Sequence, residues 1–327
     1  MGQLKRLWQQ KLMSALRHGT RRRHDAPAGD RIRRSEQVLQ RRRHRRFPRR
    51  PLTPEPPAPD PFFHVTDPER TRFPMAYSVQ LYTVRNAIDE DLPGTIRRLA
   101  EIGFTQVEPY NFAARAEELA AALAETGITA PTGHAPLLST DQDQLFAVAK
   151  RLGIGTVIDP YLPAEHWQDA DTIRGTAARM NAAAKNGAEY GIRVGYHNHY
   201  WELSSKIEGT TALEFFAGLL DPEVVLEVDT YWAAVGGEDP AGLLERLGKR
   251  VVAIHIKDGP VSTDVTTQLP AGQGAIDVRS VIAAAKNLEV AIVEFDDYAG
   301  DIFDGLASSL RYLEAGAGDA VSDEGAR

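Results

Sequence analysis

The sequence predicts an α/β protein: a single closed (β/α)8 TIM barrel preceded by a disordered, arginine- and proline-rich extension. Three observations predict it. Between residues 75 and 315, short β-branched apolar runs alternate eight times with longer amphipathic ones. The first strand leads into Leu81-Tyr82-Thr83-Val84-Arg85, with no glycine where an open doubly wound sheet carries its phosphate loop. Nearly every strand then ends in an ionisable or amide side chain, at the end of the barrel where such enzymes keep their chemistry.

Composition separates the chain into two pieces. Residues 1–74 carry 19 Lys and Arg against 7 Asp and Glu, whereas the remainder carries 19 against 38, so a formal charge of −7 hides one basic and one strongly acidic segment. Any polyanion binding belongs to the first piece, and the acidic barrel is not expected to bind nucleic acid. With 43% hydrophobic and 25% charged residues the composition is that of a soluble globular protein. The absence of cysteine excludes disulfides, thiolate–zinc sites and thiol catalysis. No apolar run approaches the roughly 18 residues of a membrane helix, so a cytoplasmic protein with no membrane partner is expected.

The extension, 1–74, has no sustained apolar period. It contains Arg21-Arg22-Arg23, the cluster from Arg41 to Arg46 and the proline run between Pro51 and Pro61, and such a segment buries too little apolar surface to offset its ordering entropy. Arg45-Arg46 invites a twin-arginine reading, but no apolar stretch follows it. Met75 stands immediately before the first strand, so translation is expected to start there.

The barrel, 75–315, reads as eight pairs. Tyr77–Tyr82 precedes a helix over Asp89–Ile102 with Pro93 in its first turn; Thr105–Glu108 precedes Ala113–Thr126, closed by Gly127; Ile128–His134 precedes Asp141–Leu152. Thr156–Asp159 and Asp171–Tyr190 follow, then Ile192–Asn198 and Thr210–Leu220, Val224–Asp229 and Pro240–Leu247, Val251–Lys257 and Val278–Asn287, and Val290–Glu294 and Ile302–Glu314. Residues 316–327, rich in Gly, Ala and Asp, read as a flexible tail.

Strand ends collect Gln80, Glu108, His134, Asp159, His197 with His199, Asp229, His255 with Lys257, and Glu294. In the fifth strand side chains alternate, so His197 and His199 point to one side. Asp229, His255 and Glu294 emerge from successive apolar runs. With His197 they form a mixed oxygen and nitrogen set suited to one divalent ion, Mn2+ first, with Co2+, Zn2+ or Mg2+ as alternatives. Capping by Asp229 and pairing of Glu294 with Lys257 is the structural alternative. Gly272-Gln273-Gly274 is the one candidate phosphate grip and is short.

The segments YSVQLYTVR, GYHNHYWEL, LEVDTYW, VVAIHIKDG, AGQGAID and VEFDDY occur in order. In them, residues 77–314 resemble the xylose isomerase-like barrel superfamily, in its sugar phosphate isomerase/epimerase branch. The resemblance implies Asp229, His255 and Glu294 as ligands of a divalent metal. It also marks two departures. His197 stands where the ketose epimerases carry a glutamate that is both ligand and base, and Trp232 stands where they carry a histidine.

The expected activity is therefore isomerisation or epimerisation of a sugar or sugar phosphate by proton abstraction next to a carbonyl, through an enediolate. Glu294 is the first choice of base, with His199, His134 and Lys257 in proton transfer or oxyanion stabilisation. Gln80 and Glu108 are expected to bind hydroxyls, and Tyr82, Trp201 and Trp232 to stack on the sugar or pack. The histidine at 197 makes β-elimination from a keto-sugar or keto-inositol the runner-up. A non-catalytic sugar-binding barrel is the alternative of another class. Homo-oligomerisation is left open.

Intact-mass and N-terminal peptide analysis of the natively expressed protein should find a chain starting at Met75; a peptide spanning Arg72–Tyr77 overturns that start.

Overall fold

The computed structural model describes residues 76–322, and their side chains as far as 316. The basic extension, the Met75 start and residues 323–327 of the tail lie outside the described residues.

Among those residues the alternation is regular. Strand β1 (Tyr77–Gln80) precedes α1 (Arg85–Ile102), β2 (Gln106–Glu108) precedes α2 (Ala116–Thr126), and β3 (Thr132–His134) precedes α3 (Gln142–Leu152). Then come β4 (Thr156–Asp159) and α4 (Ala170–Tyr190), β5 (Arg193–His197) and α5 (Ala212–Leu219), and β6 (Val225–Asp229) and α6 (Pro240–Leu247). The last pairs are β7 (Val251–Ile256) with α7 (Val278–Ala284) and β8 (Val290–Val293) with α8 (Ile302–Ser322).

Asp141, Asp169, Thr211, Asp239 and Asp277 cap their helices by accepting the backbone N–H three residues on. Pro93 sits inside α1 because the backbone breaks at Asp91, whose φ of −152° restarts the helix. Its carboxylate takes the Gly94 N–H at 2.9 Å. Helix α8 runs eight residues past the expected Glu314, through part of the stretch read as tail.

The strands pair in parallel in the order β2–β1–β8–β7–β6–β5–β4–β3. The remaining seam is bridged by the N–H of Val107 to Thr129 O at 2.9 Å and of His134 to Pro109 O at 2.8 Å. Register is what builds the site, since directly paired residues of parallel strands face the same side. Gln80 pairs with Glu108, His197 with Glu227, and Asp229 with His255. The last pairing depends on a bulge: Leu226 opposes Val251 but Glu227 opposes Ala253, leaving Val252 extra. Without that slip Asp229 would lie beside Ile254, which faces the helices.

Two apolar layers result. Val79, Val107, Val157, Val194, Tyr196, Val228, Ile254 and Val293 face outward into the main core beneath the helices. Inside the barrel, Val225, Val252, Ala253, Val290 and Ile292 form a separate small cluster. Gly195 belongs to this plug, because a Cβ there would stand 3.2 Å from both Ile158 Cγ1 and Val225 Cγ2. Alternation then places the ionisable residues one step above it. No helix among the described residues is long and apolar enough to cross a membrane.

Gly195→Val overfills the plug; urea denaturation should show a loss of about 1–3 kcal/mol, and unchanged stability would contradict the close packing.

Candidate functional site

The C-terminal mouth of the barrel holds Gln80, Glu108, His134, His197, Glu227, Asp229, His255, Lys257 and Glu294, all buried. Each is raised there by the strand that precedes it. Burying this many charged groups requires that they face one another.

Glu227 Oε1 lies at the centre of the deeper half. It is 2.6 Å from His134 Nε2, 3.0 Å from His197 Nδ1 and 3.0 Å from His255 Nε2. Glu108 Oε1 lies 2.8 Å from His255 Nε2 and accepts from Gln80 Nε2 at 2.8 Å. In the upper half, His255 Nδ1 meets Glu294 Oε2 at 2.5 Å. The Lys257 ammonium stands 2.8 Å from each of Asp229 Oδ2, Glu294 Oε2 and Asp296 Oδ2.

These contacts decide the charges. Burial opposes protonation of His255, but Glu227 and Glu294 outweigh it and hold the ring charged well above its ordinary range. Burial likewise opposes the Lys257 ammonium, and Asp229, Asp296 and Glu294 more than compensate. Burial raises the Glu227 carboxyl, yet His255 and His134 pull it well below the usual carboxylate range. Asp229 is pushed up to about 6 by burial, Lys257 only partly offsetting it. Burial and the neighbouring His255 drive His197 down to about 3, and burial with His197 drives His199 well down, so both are neutral.

Among the described residues, two groups of side chains could hold a metal ion. Donor atoms of Asp229, His255 and Glu294 lie within 4.8 Å of one another, as do those of His134, His197, Glu227 and His255. The four ligands expected from sequence are thus divided: three share one group, whereas His197 sits in the adjoining one, its Nε2 3.9 Å from Asp229 Oδ2. The cause is the pull of Glu227 on His197 Nδ1. The donor chemistry fits a divalent ion, and the Oε2 atoms of Glu108 and Glu227 are buried carboxylate oxygens without a hydrogen-bond partner.

The other expected site residues stand around this centre. His199 stacks on Trp201 at 4.4 Å, and its Nδ1 is buried without a hydrogen-bond partner. Trp232 packs against Tyr200 and Tyr231 and beneath the Lys257 ammonium, 5.5 Å from its ring centroid. Tyr82 is half-buried, edge-on to Tyr110, with the Arg85 guanidinium 4.3 Å from its centroid. Gln80 spends its amide on Glu108 Oε1, His134 Nδ1 and the Tyr82 N–H, and Glu108 engages the network through Oε1 alone. Asp159 faces away from the others and holds the N–H groups of Leu138 and Tyr161.

The glycine pair does not offer a phosphate grip: the Gly272 and Gly274 N–H groups both donate to Asp258 Oδ2 at 2.9 Å. Asp258 also takes the N–H groups of Gly259 and Ile276, so it pins the loop that follows β7. The same loop carries Val261 at φ 56°, strained for a β-branched residue, and next to it the Tyr231 hydroxyl binds both N–H and C=O of Ser262. From this loop Gln268 pairs with Asp296, donating to Oδ2 at 2.8 Å and accepting its N–H at 2.8 Å.

Sequence reasoning missed Glu227, Glu202 and the Asp296–Gln268 pair. Glu227 had a legible signal, a charge inside an apolar strand two residues before Asp229 and hence on the same face. Glu202 is fully buried, accepts from Tyr196 Oη and the His199 N–H, and burial raises its carboxyl to about 8.

A profile of the xylose isomerase-like TIM barrel family matches residues 96–315. A sugar phosphate isomerase/epimerase from Parabacteroides distasonis superposes with a TM-score of 0.65 at 21% identity, covering 74% of this chain and 94% of that one. A xylose isomerase-like barrel protein from Mycobacterium smegmatis, in complex with magnesium, superposes with a TM-score of 0.58 at 16% identity, over 75% and 97%. Inosose dehydratase 2 of Bacillus cereus is 27% identical over 100 residues, 30% of each chain. The chain thus spans about a third of the curated relatives' length in matched sequence.

Replacing Lys257 by Met leaves Asp229 and Glu294 without their ammonium; chemical denaturation in chelator should show a loss of about 3–5 kcal/mol, and wild-type stability would show that the three contacts are not formed.

Proposed function

The chain belongs to the xylose isomerase-like TIM barrel family, and from that premise we propose that it is a divalent-metal-dependent isomerase or epimerase of a sugar, working by proton abstraction next to a carbonyl. The observation that carries this reading is the convergence of Asp229, His255 and Glu294 donors at the buried mouth of the barrel. The cation would be held by these three, with His197 Nε2 on its flank.

Bound there, it would polarise a carbonyl and its neighbouring hydroxyl and offset the negative charge that deprotonation creates. The chain's own groups supply the rest. Glu294 is held ionised by Lys257 and His255 against the cost of burial, so it can accept a proton from carbon. Lys257 remains charged and tethered to Asp296, placed to face a developing oxyanion. His199 is neutral beside Lys257, and its unpartnered Nδ1 can take a proton from a substrate hydroxyl at another side of the mouth.

One specific observation favours a second reading, β-elimination from a keto-sugar or keto-inositol. The fifth strand offers neutral His197 and His199 instead of a second carboxylate, and inosose dehydratases are among the curated relatives. A symmetric pair of carboxylate bases is therefore lacking, while elimination needs a base for the C–H and a cationic group such as Lys257 beside the departing oxygen.

Metal analysis should find a stoichiometric divalent ion. Incubation of the loaded protein with ketoses and inososes in D2O should give solvent deuterium at the carbon next to the carbonyl without loss of water, and Glu294→Gln should slow it about 100-fold or more. Release of water assigns the elimination instead. A protein that holds no ion and exchanges no proton in any such compound is a sugar-binding barrel without catalysis.

A further inference from the structure

Three imidazoles share one carboxylate oxygen beneath the Asp229–His255–Glu294 group, and neither the sequence reading nor the proposed reaction uses that oxygen. We propose that Glu227 is a positioning residue that fixes which ring nitrogen of His134, His197 and, together with Glu108, His255 faces the deeper carboxylates, and so turns the opposite nitrogens of His197 and His255 toward the cation. The inference rests on the cation reading above.

The argument is one of donors and acceptors. Three ring nitrogens converge on the one oxygen Glu227 Oε1, an arrangement that an acceptor oxygen holds and a hydroxyl donor does not. Each nitrogen that faces its Oε1 is therefore an N–H: Nε2 of His134 at 2.6 Å, Nδ1 of His197 at 3.0 Å and Nε2 of His255 at 3.0 Å. The opposite nitrogen of each ring is then assigned. For His134 it is Nδ1, which faces the Gln80 amide nitrogen at 3.2 Å. That amide cannot be turned around, because its oxygen accepts the Tyr82 N–H at 3.1 Å. His134 is thus closed on both sides. For His197 it is Nε2, 3.9 Å from Asp229 Oδ2; for His255 it is Nδ1, 2.5 Å from Glu294 Oε2. Both point into the group of carboxylates that would hold the ion.

Glu227 is 1% exposed and its Oε2 has no hydrogen-bond partner, so it is an expensive residue to keep for packing alone. A carboxylate behind a ligating imidazole fixes ring orientation and strengthens the ligand. One carboxylate, on the strand between them, does so for His197 of β5 and, together with Glu108 Oε1 at 2.8 Å, for His255 of β7, with a third ring wedged beside them. The same four residues could instead bind an ion themselves, and that alternative predicts the opposite ring nitrogens.

Zn2+ alone is the probe, on the full chain with 15N-labelled histidine. Long-range 15N–1H spectra should show His197 protonated on Nδ1 and His255 on Nε2, with the ion on the other nitrogen of each. Glu227→Gln, whose amide can present N–H to the rings, should lower Zn2+ affinity about 10–100-fold in calorimetry and mix the His197 tautomers. Glu227→Asp should restore part of both, since its charge and acceptor remain. Wild-type affinity and unchanged tautomers in Glu227→Gln overturn the proposal, as does an ion on His197 Nδ1 and His255 Nε2. A wild type that binds no zinc defeats the cation reading separately. The metal-free spectra then still decide Glu227, because a His197 proton on Nε2 refutes it.

Discussion

Charge burial governs this molecule. Glu108, Glu227, Asp229 and Glu294 lie within a barrel whose interior just below is Val225, Ala253, Val290 and Ile292. An isolated carboxylate at such a place costs several kcal/mol, and removing one partner of a pair exposes that cost. Every charge is therefore tied to an opposite one: Lys257 to three carboxylates, His255 to Glu227 and Glu294. The cluster is consequently rigid, and its positions are fixed by strands instead of loops.

From that constraint follows the layering of the barrel. The apolar plug closes the bottom and leaves the polar layer one side chain thick. The bulge at Val252 brings Asp229 level with His255, so a single extra residue decides whether a carboxylate enters the site or the outer core. Gly195 gives the plug room at β5, which lets His197 descend to Glu227. Asp258 holds the loop after β7 through four backbone N–H groups. Through Gln268 and Asp296 that loop also reaches Lys257. Reshaping it would thus alter the ammonium nearest to the carboxylates.

Two neutral histidines beside one strongly charged one are a second consequence. His197 and His199 lose their charge to burial and to neighbouring cations, whereas His255 keeps its charge between carboxylates. Sequence spacing cannot distinguish these states, because all three are strand-end histidines in similar apolar contexts. The distinction decides which ring carries a proton that a bound cation would have to displace.

Sequence by itself determined the barrel, the order of its eight units and most of the polar residues at its mouth. Period-two and period-3.6 apolar patterns, capping residues and charges at strand ends are local signals, written in the neighbours of each residue. Asp229, His255 and Glu294 could be selected that way because each directly ends an apolar run. Tertiary structure alone decided that His197 leans to Glu227, that Lys257 bridges three carboxylates and that Gly272 and Gly274 serve Asp258. Those outcomes depend on inter-strand register, on one bulge and on which buried charges meet. Such choices compare residues dozens to hundreds of positions apart, and no local pattern carries the energy that settles them.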